Sequence, residues 1–329
     1  RPASGHLREL SAITLRFLTI LIRPHCNQTR EETMKNLIIF NPWAGHGHAG
    51  KILPQIEAYL HEIDFDYDIL ITEHQGHGVE LTRDADFSQY GGVIAAGGDG
   101  TLFEVINGYY HNDSPLRLPI GVLPVGTGNA FVRDMDLHHH DWKPAIDIIQ
   151  AGTTRKFDVG HFTTEGKTFY YLNILGLGLV ADIGATALKM KALGNISYTL
   201  GSLYHILKLK PFNIKMEIDG QVIERENVFV EISNTRYTAN FLMAPAAKTD
   251  DGLLDVTILG PKSRIGLIRS FPKIITGEHI HMKEVECFQA RHIRIETNIP
   301  KILTPDGELM GSTPLEVDCL KQAIEVFWK

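Results

Sequence analysis

Val93-Ile94-Ala95-Ala96-Gly97-Gly98-Asp99-Gly100-Thr101 runs from an apolar tetrapeptide straight into a glycine-rich turn that carries one carboxylate. A buried strand that ends this way suits phosphate chemistry. Glycines let the backbone pass close to a polyphosphate and turn its N–H groups toward the oxygens, and a helix opening near Leu102 aims its positive end at the same place. Asp99, the only acid of the turn, can hold Mg2+ or take a proton from an attacking hydroxyl. A plain strand-to-helix turn with Asp99 as its N-cap accounts for the same residues. The neighbouring loops have to decide between the two.

Upstream, the apolar strand Leu37-Ile38-Ile39-Phe40 ends in Asn41-Pro42-Trp43-Ala44-Gly45-His46-Gly47-His48-Ala49-Gly50-Lys51, followed by a helical pattern from Ile52 to about Ile63. Downstream, Ile120-Gly121-Val122-Leu123 ends in Pro124-Val125-Gly126-Thr127-Gly128-Asn129-Ala130-Phe131. All three loops leave the carboxyl end of a strand, the edge at which open α/β sheets bind ligands. Neither flanking loop has the Gly-Lys-Ser/Thr ending of a P-loop or a GxGxxG opening, so both of those assignments fail.

Strand-like runs at 37–40, 67–72, 92–96 and 119–123 alternate with helical patterns at 50–63, 77–85, 101–110 and 141–150, which predicts a parallel sheet covered on both faces. After Thr153 the texture changes. Lys156–His161, Thr168–Ile174, Phe212–Ile218, Val228–Ser233, Val256–Leu259, His292–Glu296 and Ala323–Phe327 are short and separated by Gly, Asp or Asn turns, as in an antiparallel sandwich. The main interruption is helical, around 181–209. The fold expected is an α/β domain over 35–152 and a mainly antiparallel β-sandwich domain over 153–329, whose C-terminal segment returns to the cleft between them.

Residues 1–34 stand apart from this pattern. Ala12–Ile22 is apolar but contains Arg16 and is too short to span a bilayer. It reads as an uncleaved signal-like segment, an interfacial helix, an added strand, or an extension upstream of a start at Met34.

The 329 residues, 43% of them apolar, suffice for two cores. A net charge of −7 argues against a nucleic-acid partner. Cys26, Cys287 and Cys319 are scattered and odd in number, which fits neither a disulfide framework nor zinc and suits a reducing cytoplasm. The run His138-His139-His140 reads as a solvated loop. His279 and His281 would share one face of a strand without a third metal ligand.

Taken together, Asn41–Gly45, Gly97–Tyr109, Leu123–Phe131, Asn173–Asp182 and Asp306-Gly307-Glu308 resemble, in order and spacing, the diacylglycerol kinase catalytic-domain superfamily of bacterial lipid, sphingosine and ceramide kinases. NAD kinases and phosphofructokinases share a turn like Gly97–Thr101, but Gly126–Asn129 and the late Asp306-Gly307-Glu308 favour the lipid kinases. The resemblance implies transfer of the ATP γ-phosphoryl group, with Mg2+, to a lipid hydroxyl. The acceptor is a diacylglycerol-like or other neutral lipid; a sphingosine or ceramide kinase, an NAD kinase-like enzyme for a soluble substrate and a non-catalytic lipid or nucleotide sensor are the alternatives. It implies a cytoplasmic protein, peripheral at the membrane, and a homodimer is compatible with it.

The resemblance also assigns residues. Asn41, Pro42, Gly45 and Gly47 would border the nucleotide, Gly97, Gly98, Gly100 and Thr101 would hold phosphates, and Gly126, Thr127, Gly128 and Asn129 would approach from the other side. Asp99 or Asp306 is the base, Asp99 the tentative Mg2+ ligand, and Glu308 orients nucleotide or metal. Asp306-Gly307 reads equally well as a hairpin turn. Of the two phosphate-binding arginines of sphingosine kinases, this chain keeps a cation at Lys191 and has Ser197 in place of the other. Asp182, Gly184, Leu203 and Leu207 would face the lipid. Gly184 stands where sphingosine kinases carry an acid for the amine, which favours a neutral headgroup, since an unpaired buried ammonium is costly. Ala130, after the Asn of that third motif, matches the sphingosine and ceramide type instead. Leu200, Leu203, Ile206 and Leu207 share a helical face, with Lys208 and Lys210 at its end, suited to an interfacial helix, a lipid-tail groove or ordinary packing.

Overall fold

The computed structural model describes residues 34–178, 210–239 and 241–329. The 1–33 extension, Cys26, the helical interruption and the expected roles of Asp182, Gly184, Lys191, Ser197, Leu203 and Leu207 lie outside the described residues. Met34–Lys329 cluster as one compact unit.

β1 (Asn36–Phe40), β2 (Tyr67–Ile71), β3 (Gly92–Gly97) and β4 (Ile120–Pro124) make a parallel sheet in the order β2-β1-β3-β4. β1 and β3 are nearly continuous apolar runs with both faces buried, the pattern required when helices cover both sides. Those helices are α1 (Ala44–Glu62), α2 (His77–Arg83), α3 (Asp99–Tyr110), the single turn α4 (Ala130–Arg133) and α5 (Trp142–Ala151). α1 buries Ala49, Ile52, Ile56 and Leu60, one stripe at helical spacing. Its first turn is not helical: Gly45, His46 and Gly47 all have φ between 59° and 80°, a conformation cheap only for glycine. Strand order reverses between β1 and β3, where doubly wound sheets open a ligand crevice.

β5 (Thr154–Thr164), β6 (Lys167–Tyr171), β8 (Phe212–Ile218), β9 (Gln221–Asn227), β15 (His292–Thr297) and β17 (Leu315–Phe327) continue the same sheet, since Val326 of β17 pairs with Ile120 of β4 in parallel. A second, antiparallel sheet orders β14 (Val285–Ala290), β13 (Leu254–Leu259), β10 (Phe229–Ser233), β7 (Ile174–Gly178) and β16 (Leu303–Pro305), and the short β11 (Tyr237–Thr238) and β12 (Phe241–Leu242) pair with each other. Alternation supplies the layer between them. Phe212, Ile214, Met216 and Ile218 of β8 meet Val230, Ile232, Val256 and Ile258 from the facing sheet in one buried cluster. The chain is thus an N-terminal α/β domain with a mainly parallel sheet and a C-terminal antiparallel β-sandwich-like domain. No helix among the described residues is long and apolar enough to cross a membrane.

Three local expectations change. The run Thr168–Ile174 is two strands in different sheets, β6 and β7, because the N–H groups of Leu172, Asn173 and Ile174 turn to a carboxylate. Ala323–Phe327 is the tail of a longer strand whose register shifts between Leu320 and Ile324, where Gln322 has φ 48° and gives its N–H to Asp158 (2.6 Å). His279 and His281 lie in a 3-10 turn, not a strand, after α6 (Arg264–Thr276), and His279 is buried with Nε2 bonded to the Met243 carbonyl.

Candidate active site

The carboxyl ends of β1, β2, β3 and β4 and the turn after β16 converge on a cleft of about 620 Å3. Asn41, Trp43, Ala44, Gly45 and His46 come from the first loop, Thr72, His74 and Gln75 follow β2, and Gly98–Thr101 with Glu104 follow β3. Gly126, Thr127 and Gly128 follow β4, and Asp306, Gly307 and Glu308 return from the sandwich. No lysine or arginine is among its described lining residues.

Side chains clamp these loops together. Asn41 Nδ2 donates to Thr101 Oγ1 (3.0 Å) while Asn41 Oδ1 accepts the Trp43 N–H (3.0 Å), tying the first loop to the start of α3 across the switch point. Gly98 and Gly126 touch backbone to backbone: a Cβ on Gly126 would stand 2.5 Å from Gly98 Cα, and one on Gly98 would stand 2.9 Å from the Gly128 carbonyl oxygen. Glycine is required there by contact, not by dihedral angle. Gly97 leaves room for Thr101, whose Oγ1 would lie 2.1 Å from a Cβ at 97.

Asp99 is the first residue of α3 after the Gly98 cap, and it serves a neighbouring helix: Oδ1 accepts the N–H of Ala130, the first residue of α4 (2.8 Å). Oδ1 also accepts the Asn173 side-chain amide (3.4 Å). Burial pushes the Asp99 carboxyl up to about 6 against the opposing pull of the Ala130 and Phe131 N–H groups and Asn173.

Asp306 stands at φ 44° and Gly307 at φ 88°, with the Glu308 N–H closing the turn on the Pro305 carbonyl (2.8 Å). Two successive positive φ values make the tight hairpin that the Asp-Gly pair favours. The Asp306 carboxylate is 5% exposed and accepts the N–H groups of Leu172 (3.3 Å), Asn173 (3.1 Å) and Ile174 (2.9 Å). Burial and then the charge of Asp99 push it up to about 7 despite those donors. The negative charge of Asp99 favours the protonated form of Asp306, so the two carboxyls titrate as a pair.

Glu308 lies over the start of α3, where its Oε1 would be 2.4 Å from a Cβ at Gly100, and its Oε2 accepts from Gln75 Nε2 (2.8 Å). Pro42, Gly47 and Gly97 are not among the cleft-lining residues, and Pro42 accepts the Gly50 N–H through its carbonyl (3.0 Å). Asn129 turns inward, its amide donating to the Gly126 carbonyl (2.7 Å), and lines a small cavity beside the cleft with Thr127 and Gly128. His138, His139 and His140 are exposed.

Asn173, Glu104, Gln75 and His74 also belong to this region, and none carries a sequence signal that assigns it a site role. Asn173 is 1% exposed and is a lone amide between apolar Leu172 and Ile174, a mismatch that signals a buried hydrogen-bonding job. Glu104 follows Gly100 by one helical turn, hence on the same face; it accepts the N–H groups of Gly76 (2.7 Å) and Gly78 (2.9 Å) at the start of α2, and burial raises it. His74, His77 and Glu80 group three potential metal donors at the rim. The Glu73 N–H donates to His77 Nδ1 (3.0 Å), which leaves the ring proton on Nε2 and no free nitrogen for a metal.

Comparison with known proteins agrees with this geometry. Residues 35–162 match the family model of the diacylglycerol kinase catalytic domain, and residues 173–328 match the YegS C-terminal NAD kinase beta sandwich-like domain. The diacylglycerol kinase of Staphylococcus carnosus (strain TM300) is 30% identical over 293 residues, 88% of this chain and 94% of the relative; that of Bacillus subtilis (strain 168) is 29% identical over 292 residues, with the same coverage. The crystal structure of a diacylglycerol kinase from Bacillus anthracis str. Sterne superposes with a TM-score of 0.73 at 29% identity, covering 91% of this chain and 98% of that one. By sequence, fold and the convergence of its glycine loops on paired carboxylates, the chain belongs to the diacylglycerol kinase family, phosphotransferases that use an alcohol group as acceptor.

Proposed function

We propose that the chain transfers the γ-phosphoryl group of ATP to the hydroxyl of a diacylglycerol-like neutral lipid, working in the cytoplasm as a peripheral membrane protein. The observation that carries this reading is the pair Asp99 and Asp306, bridged by Asn173, on the wall of a cleft that the glycine loops also line. Asp99 is the base: a carboxylate near 6 is ionised at neutral pH yet basic enough to take a proton from a hydroxyl. As the lipid oxygen bonds to the γ-phosphorus, the bond from phosphorus to the β-phosphate oxygen breaks, the hydroxyl proton passes to Asp99, and ADP leaves. Asp306, saturated by three N–H donors, positions Asn173 and the turn that carries Glu308.

Mg2+ fits the chemistry of the wall. Asp99, Glu104, Asp306 and Glu308 are hard oxygen donors, none has an ion-pair partner among the described residues, and a triphosphate beside them needs a countercharge. Glu308 is the residue that would hold it, leaving Asp99 free to act as the base, and Mg2+ there would supply countercharge for the phosphates. The chain's own part is positioning, through the backbone of Gly98–Thr101 and Gly126–Gly128.

A radiolabelled-ATP assay over diacylglycerol, ceramide, sphingosine, phosphatidylglycerol and NAD tests the reading. Diacylglycerol is expected to be the best acceptor. Preference for sphingosine or ceramide overturns the neutral-glyceride assignment, label on NAD alone overturns the lipid one, and no label on any acceptor overturns catalysis.

A further inference from the structure

Helix α6 carries its cations and much of its apolar surface on the side that faces water. Between Asp255 and Glu278 the chain has no acidic residue, while Lys262, Arg264, Arg269 and Lys273 provide positive charge in a protein of net charge −7. Lys262 is paired with Glu284 (3.0 Å). Arg264, Arg269 and Lys273 make no ion pair among the described residues.

The packing side of α6 is narrow. Leu267 is its only fully buried residue, Phe271 meets the Phe241 ring edge to face (5.5 Å), and Ile274 packs on Val228, Phe229 and Met243. At about 100° per residue, Ile265, Arg269, Pro272 and Thr276 form one outward stripe, all exposed. Arg264, Ile268, Phe271 and Ile275 form the next. Ile265 is 65% exposed and Ile275 54%. A single exposed isoleucine needs no explanation, but two on one short helix, interleaved with three uncommitted cations, describe a surface for a boundary that is apolar below and anionic above.

We propose that α6 seats the chain on an anionic lipid bilayer, with Ile265, Pro272 and Ile275 entering the acyl boundary and Arg264, Arg269 and Lys273 on the headgroups. The biological use of this surface rests on the reading of the chain as a lipid kinase. Its location suits that use: α6 packs on Phe241, and Ala239, two residues earlier, shares a small cavity with Thr127 and Gly128 at the edge of the phosphate-side loops. A nucleic-acid partner fits less well, because the exposed isoleucines and proline gain nothing against phosphates.

Co-sedimentation of the full chain with vesicles tests the proposal. The wild type is expected to bind phosphatidylglycerol–phosphatidylcholine vesicles, to be released by high salt, and to ignore pure phosphatidylcholine. Arg264→Gln/Arg269→Gln should weaken the partition coefficient about 25-fold, roughly fivefold for each cation lost, and Ile265→Ser/Ile275→Ser about tenfold. Lys143→Glu, on the exposed side of α5, should change nothing. All variants should phosphorylate short-chain diacylglycerol in vesicle-free solution at the wild-type rate and melt at the wild-type temperature. Unchanged vesicle binding by both double variants, or equal binding of the wild type to both vesicle types, overturns the proposal. Vesicle binding that follows the expected pattern in a chain that never phosphorylates short-chain diacylglycerol leaves the surface standing and removes the lipid-kinase reading.

Discussion

Asp99 and Asp306, more than 200 positions apart in the chain, share one donor residue: Asn173 gives its side-chain amide to Asp99 Oδ1 (3.4 Å) and its backbone N–H to Asp306 Oδ1 (3.1 Å). The residue that spans them sits where β6 passes to β7, and thus where the chain leaves one sheet for the other. β6 is itself pinned to α3, because Asn107 Oδ1 accepts the Tyr170 N–H (3.0 Å) and Asn107 Nδ2 donates to the Tyr170 carbonyl (2.9 Å). One helix thereby carries Asp99 at its start and, two turns later, fixes the strand that delivers Asn173. Buried amide and carboxylate side chains bonded to strand backbone thus hold the two carboxylates in place.

Asp99→Asn tests the base. Asparagine keeps an oxygen for the Ala130 N–H, so the loop and nucleotide affinity should persist, while kcat falls by roughly 10²–10⁴, the usual scale for a lost acid–base group. In the wild type kcat/KM should rise with pH through about 6, as Asp99 loses its proton. That limb should vanish in the variant. Near-normal turnover in Asp99→Asn would reduce Asp99 to a cap for α4.

Asn173→Ala separates positioning from chemistry. The backbone N–H to Asp306 remains, but Asp99 loses a donor that favours its ionised form. The acid limb should therefore move to higher pH, and kcat at neutral pH should fall about tenfold with little change in the KM for ATP. A drop in kcat without movement of the limb would mean that Asn173 acts only on structure.

Two glycines of the cleft should respond very differently to alanine. At Gly126 the new methyl meets Gly98 Cα (2.5 Å) and N (2.6 Å), backbone that cannot step aside, so Gly126→Ala should cost several °C in Tm and abolish nucleotide binding. At Gly100 the methyl meets only Glu308 Oε1 (2.4 Å), the tip of a flexible side chain. Gly100→Ala should fold normally, displace Glu308 from Gln75 and raise the KM for ATP about fivefold. Melting curves and ATP titrations on both proteins decide it, and equal effects would contradict the contact argument.

The parallel half of the fold was legible because its strands are apolar runs ending in loops of unusual composition: Leu37–Phe40, Val93–Gly97 and Ile120–Pro124 could be read from local signals, though their order in the sheet could not. Two acids of the cleft were legible as well, since an Asp among glycines is conspicuous at 99 and at 306; Glu104, inside a helix, was not. Asn173 was not. Its task arises from a meeting of residues 99, 173 and 306 that only the sheet topology creates, and an amide between two apolar residues looks like part of a strand. α6 escaped for another reason: Ile265, Ile268, Phe271, Ile274 and Ile275 are β-formers by propensity, and Pro272 interrupts the pattern, so the helix rests on tertiary contacts with Phe241 and Met243 that override local preference.

Glu231 carries the last prediction, on stability. It is 1% exposed in β10, and burial pushes it up to about 7 although the hydroxyls of Ser233 (3.1 Å) and Thr238 (2.7 Å) both donate to its Oε1. A carboxyl whose folded pKa lies above its unfolded value binds its proton more tightly in the native state, so the associated stability is complete below the unfolded pKa and is lost as pH rises through about 7. Asp306, about 7, and Asp99 and Asp255, each about 6, act in the same direction. The wild-type Tm should therefore fall between pH 5 and pH 8. Glutamine has the shape of the protonated acid, accepts the same two hydroxyls and never ionises. Glu231→Gln should match the wild type near pH 5 and exceed it at pH 8 by about 5 °C. Because Asp99, Asp255 and Asp306 still titrate, the variant should keep a residual downward slope. Calorimetric scans at both pH values decide it, and parallel wild-type and variant curves would show that Glu231 is already solvated or paired when ionised.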